Sequence, residues 1–193
     1  MRVSIPTNTT NVYNKISEDG VTSFSKEWFI FFENIWRRLL GELNIYLGGV
    51  LNNDSTAVGN VGAGTDDLIT YSLSGNNLRT SGDFIEIDCF GTFAANANNK
   101  VISLVFGSTT IFTISPTAIN SGSWNIKAKI IRTGSAIQEI IVSGNGTNAV
   151  LIKTVYTSGA ETLANSLDIK CTAIGTSNDD ILQKNLTIKI YRQ

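Results

Sequence analysis

Residues 124–130 read Trp124-Asn125-Ile126-Lys127-Ala128-Lys129-Ile130, with an apolar side chain at every even position and a polar one at every odd position. Successive side chains of a β-strand point to opposite faces, so a period of two predicts a strand with one dry face and one wet face. The same alternation appears upstream in DFIEIDCFGTF, residues 83–93, where Ile85, Ile87, Cys89 and Phe93 share one side. It returns near the C-terminus at Leu186, Ile188 and Ile190. Gly, Asn and Ser break the runs apart, as turns between strands require. Strands are predicted near 67–73, 83–94, 99–106, 109–114, 123–133, 136–143, 148–156, 166–174 and 184–191, with no second helical pattern among them. Such a succession reads as mainly β, an antiparallel jelly-roll-like β-sandwich over residues 66–193. Its strand order stays open, and immunoglobulin-like and up-and-down arrangements share the same signals.

Ahead of this domain the periodicity changes. Residues 1–24 hold Thr, Asn and a turn-like Ser17-Glu18-Asp19-Gly20, and read as an extended arm. Ser25 then suits a helix N-cap with Glu27 in the first turn, and Trp28, Phe32, Ile35 and Leu39 recur at alternating spacings of four and three. One α-helix is predicted from about 26 to 47. Phe29, Ile30, Phe31, Trp36 and Leu40 fall outside that seam, which makes the apolar arc wider than one neighbour needs. Residues 48–65 are rich in Gly and Asn and read as a flexible linker. The predicted organisation is therefore an arm and helix over 1–47, a linker over 48–65 and a sandwich over 66–193.

Composition narrows the chemistry. The 193 residues carry 15 Lys and Arg against 16 Asp and Glu, and no His at all. Near-neutral charge argues against a nucleic-acid partner. Without His, every Ser/His/Asp or Cys/His arrangement is excluded, and the commonest metal ligand with it. No basic start followed by an apolar run marks an export signal, and no stretch approaches a membrane span. Cys89 and Cys171 each sit on the apolar side of an alternating run and read as small buried hydrophobes, not as a disulfide framework.

The remaining polar motifs are weak. Glu86 and Asp88 share the solvent side of one strand, and a paired-acid glycosidase would need two acids converging in a cleft. Thr176-Ser177-Asn178-Asp179-Asp180 is rich in oxygen ligands but lacks the spacing of a calcium loop, and an Asx-type turn explains it as well. Gly59, Gly62 and Gly64, with Gly144 and Gly146, lack the strand–helix setting of a phosphate loop and read as linker and hairpin glycines. Trp124 is an aromatic platform for a sugar only if it is exposed, and its register places it in the core. No catalytic, metal or cofactor residue is assigned, and the chain is not expected to be an enzyme.

The helix makes the sharper demand. Burying one large apolar side chain is worth roughly 1.5–3 kcal/mol, so several left in water would drive aggregation. The expected solution is self-association into a cyclic trimer through Trp28, Phe32, Ile35 and Leu39, with Phe29, Phe31, Trp36 and Leu40 meeting β domains or another surface. The alternative is a helix folded back across its own sandwich.

Asp19-Gly20-Val21-Thr22, leading to the stretch Lys26-Glu27-Trp28-Phe29-Ile30-Phe31-Phe32-Glu33-Asn34-Ile35, resembles the opening of many small structural proteins of tailed bacteriophages. GTFAANANNKVISLVFG, GSWNIKAKIIRTG, ETLANSLDIKCTAIG and NDDILQKNLTIKIY look like displayed domains of phage virion proteins. The resemblance implies a fibre, spike or decoration protein, assembled in the host cytoplasm and held to capsid or tail by its N-terminal part. Its implied partners are further copies of itself and other virion structural proteins; the rival reading is a binding module whose knob recognises a host-surface glycan through its loops. A polysaccharide depolymerase is the third and weakest reading.

Overall fold

The computed structural model describes residues 13–16, 22–24, 32, 47–115, 119–147 and 153–193. The chain divides into two compact units, Met1–Ile45 and Tyr46–Gln193. In the first, β1 (Tyr13–Ile16) and β2 (Thr22–Phe24) pair antiparallel, Tyr13 opposite Phe24 and Ile16 opposite Thr22. Part of the arm expected only as extended chain is thus paired with itself. The predicted helix lies outside the described residues except at Phe32, which is helical and half exposed, and at Leu47, its expected last residue, which instead begins a β-strand.

The second unit contains β3 (Leu47–Asp54), β4 (Val58–Gly59), β5 (Gly64–Leu73), β6 (Phe84–Ala95), β7 (Val101–Phe106), β8 (Thr109–Ile114), β9 (Asn120–Gly134), β10 (Ile137–Gly146), β11 (Lys153–Gly159), β12 (Leu167–Gly175) and β13 (Ile181–Arg192). The larger sheet runs β11-β10-β9-β6-β13-β3, with β4 also on β13, and the smaller runs β5-β12-β7-β8. All pairings are antiparallel. The β7–β8 hairpin belongs to the smaller sheet, and the strands before and after it, β6 and β9, pair with each other in the larger one. Local alternation carries no information about such a crossover, which is why strand order was open from sequence.

The two sheets face each other across one core. Ile85, Ile87 and Cys89 of β6, Trp124, Ile126 and Ile130 of β9 and Leu186 and Ile188 of β13 are all essentially inaccessible to water. Opposite them stand Ile102, Leu104 and Phe106 of β7 and Ile169, Cys171 and Ala173 of β12. Cys171 Sγ lies 3.4 Å from Cys89 Sγ, and both cysteines are free thiols. That contact joins the sheets at mid-core. The hydrogen bond from the Cys171 thiol, and then burial, push the Cys89 thiol well above its usual value, so it packs as a hydrophobe.

Two glycines are fixed by packing. Gly91 lies opposite Trp124 in the β6–β9 register. A Cβ there would strike the Leu182 carbonyl oxygen and come within 2.6 Å of the indole. Gly144, expected in a hairpin, lies inside β10, where a Cβ would come within 2.6 Å of the Phe112 ring. In each case the missing side chain makes room for a large aromatic.

The stretch expected as a flexible linker, 48–65, is corrected by the structure. β3 lies along β13, with Asn53 opposite Thr187 and Val50 opposite Lys189, and Leu51 packs on the core. Asn60 is buried: its Nδ2 donates to the carbonyls of Gly62 and Ser177, and its Oδ1 accepts from the Ile181 amide. Edge strands need only a backbone to extend the ladder, so they form without the β-branched run that marks a central strand. Gly62, at φ +65°, turns the chain toward β5.

Candidate functional site

Because alternation fills the inner face of the larger sheet with apolar groups, it sends the intervening residues to the outer face, and register aligns them in rows. One row crosses the strands as Tyr156, Ile141, Lys129, Glu86 and Lys189. The next is Thr154, Ser143, Lys127, Asp88 and Thr187. A third places Phe90 between Asn125 and Asn185. Members of all three rows, together with Ile87 and Ala128, line one depression on this face. The result is a trough of about 820 Å³ running across β11, β10, β9, β6 and β13.

The polar groups in the trough are held by one another. Asp88 accepts from Lys127 Nζ at 3.2 Å and from Asn125 Nδ2 at 2.7 Å. Thr187 Oγ1 lies 2.9 Å from both Asn53 Oδ1 and Asn185 Oδ1, and Asn185 Nδ2 donates to Asn53 Oδ1 at 3.2 Å. Beside the trough, the lining residue Lys129 holds its Nζ 3.9 Å over the Phe84 ring, which stacks on Tyr191 at 4.6 Å. Burial and then the negative Glu86 raise the Tyr191 hydroxyl above its ordinary value. Apolar surface remains open to solvent at Phe90, Ile141 and Tyr156, which are 45%, 48% and 68% exposed. The arrangement offers ring faces, hydroxyls, amides and both signs of charge in a fixed pattern, and suits noncovalent recognition.

A second polar cluster ties the loops at one end of the sandwich. Asp180 is buried and accepts from the amides of Thr176 and Ser177 at 2.8 and 2.7 Å, from Asn96 Nδ2 at 2.6 Å and from Asn98 Nδ2 at 3.0 Å. Burial alone would raise this carboxyl, but those donors outweigh it and hold it far below the usual carboxylate range. Beside it the buried Lys100 Nζ donates to Asn96 Oδ1 at 2.8 Å and to the carbonyls of Asn96, Asn98 and Ile119 at 2.9–3.1 Å. In the oxygen-rich loop weighed as a calcium site, the Asp180 carboxylate is thus satisfied by protein donors, two of them amides three and four residues before it. Its neighbouring carbonyls are served by a lysine ammonium.

Of the residues predicted to form the assembly and attachment interface, Trp28, Phe29, Phe31, Ile35, Trp36, Leu39 and Leu40 lie outside the described residues, and Phe32 is the described member. Trp124 is core, as its register requires, and carries no exposed sugar platform. Glu86 and Asp88 do face solvent, but they stand inside the trough, a setting that the reading of a plain polar exterior missed. The available signal was Phe90, an aromatic on the wet side of an alternating strand.

No family model matches the chain, and no curated protein matches it. Among solved structures, the CBM2 module of the evolved Dit of Lactobacillus casei BL23 phage J-1 is 6% identical, with a TM-score of 0.40 over 76% of this chain and 97% of that one. A Shewanella oneidensis MR-1 protein of unknown function is 9% identical, with a TM-score of 0.34 over 75% of this chain and 78% of that one. The infectious bursal disease virus VP2 subviral particle is 9% identical, with a TM-score of 0.22 over 76% of this chain and 42% of that one. All three fall below a TM-score of 0.5, and nothing about function follows from them.

Proposed function

We propose that the chain is a structural component of a tailed-phage virion, an appendage that displays the β-sandwich and is anchored to capsid or tail by its N-terminal region. The observation that carries the reading is the division of the chain. Tyr46–Gln193 forms one compact unit and Met1–Ile45 another, and the shorter one contains Trp28, Phe29, Phe31, Phe32 and Trp36. A short unit so rich in large apolar side chains favours burial between chains. In this reading the seam Trp28, Phe32, Ile35 and Leu39 joins three copies, and Phe29, Phe31, Trp36 and Leu40 meet β domains or other virion proteins. No catalysis is assigned to it. The test is to locate the chain's density in an intact particle: the reading expects clustered β domains projecting from a site where the N-terminal residues are enclosed. A particle from which the chain is absent overturns it.

A displayed domain also suits a receptor role toward a host-surface glycan. The trough on the outer sheet face favours this second reading, because its side chains are exposed and already ordered. A depolymerase has no comparable support, since Asp88 is engaged by Lys127 and Asn125.

A further inference from the structure

We infer that the trough is the glycan site, and that its ligand is a linear, neutral polysaccharide lying across the strands with one sugar ring stacked on Phe90. This rests on the receptor reading and adds the location, the ligand class and the length.

Geometry sets the length. The lining spans five strands, and neighbouring strands lie ~4.8 Å apart, so the trough runs for ~19 Å, about four sugar units at roughly 5 Å each. A peptide strand would instead seek backbone partners at a sheet edge, and this face offers only side chains.

Charge sets the class. Lys127, Lys129 and Lys189 alternate with Glu86 and Asp88 across the rows, leaving little net field. Such a lattice hydrogen-bonds hydroxyls as donor and acceptor alike, but it sets carboxylates against a polyanion. Phe90 is flanked by the amides of Asn125 and Asn185, each already oriented by its own hydrogen bonds. A ring face between two fixed amides matches a pyranose, which has an apolar face and hydroxyls at its edge.

The experiment measures binding of the full chain to neutral linear oligosaccharides of increasing length, from cellulose, starch, β-1,3-glucan and the host's own neutral surface polymer, with hyaluronan as the acidic comparison. The expected result is affinity that rises up to about four units and then levels, and that changes less than about twofold on adding salt. Phe90→Ala is expected to weaken binding tenfold or more with an unchanged thermal midpoint, and Phe90→Tyr to restore it. Binding that Phe90→Ala and Asn185→Ala leave intact overturns the site while sparing the receptor role. Preference for hyaluronan that vanishes in salt overturns the ligand class. Failure to bind any of these polymers overturns the receptor reading as well, and leaves the appendage reading to its own test.

Discussion

The inner and outer faces of β6 are made by alternate residues of one strand, and they do opposite work. Ile85, Ile87 and Cys89 are closed to water against the smaller sheet, while Glu86, Asp88 and Phe90 stay open in the trough. The inner face is held by burial, which scales with area and makes each large side chain costly to remove. Exposed ion pairs and hydrogen bonds hold the outer face, and each contributes little to stability. A β-sandwich can therefore vary its outer face with little penalty, which is what a displayed binding surface needs.

The largest effect should come from the inner face. Trp124→Ala removes a buried indole packed on Gly91 and is expected to destabilise the fold by about 3–5 kcal/mol, read as a lower urea midpoint. A loss below about 1 kcal/mol would mean that this face is not the structural one.

An intermediate effect is expected where polar groups are buried. The Asp180 carboxyl titrates in the folded protein far below its unfolded value of about 3.9, so its contribution is complete above that value and is lost as pH falls beneath it. Asp180→Asn should be less stable than the native chain near neutral pH, by about 2 kcal/mol, and the gap should narrow in acid. Asp83 and Glu161 are also held low by their donors, so the variant should keep a shallower acid slope of its own. Urea midpoints at neutral and acid pH check the sign, and a gap that widens in acid contradicts it.

The smallest effect belongs to the outer face. Lys127→Ala breaks an ion pair whose side chains are 60% and 42% exposed, and is expected to cost less than about 1 kcal/mol in thermal or urea unfolding. A loss approaching that of Trp124→Ala would show that the trough is part of the structural framework and would remove the contrast.

Alternation made much of this fold legible in the sequence. Ile126, Ala128 and Ile130 point inward and Lys127 and Lys129 outward as their spacing required. The strands from β5 to β13 lie close to their predicted spans, although residues 148–152 of the predicted 148–156 strand lie outside the described residues. β3 was misread because its strand character comes from β13 beside it and not from its own Gly and Asn. The trough was illegible for a related reason: Phe90 meets Asn125 and Asn185 only through pairings between distant strands, which no local pattern encodes. A strand's face can be read from its own residues, whereas its neighbours depend on the whole chain.

The most direct test of the two-part account compares the full chain with residues 46–193 alone, by light scattering and urea unfolding on the same samples. The account predicts a cooperatively folded monomer for the shorter chain, with the stability of the sandwich in the full chain, and a trimer for the full chain. A shorter chain that cannot fold, or a full chain that stays monomeric in solution, would contradict it.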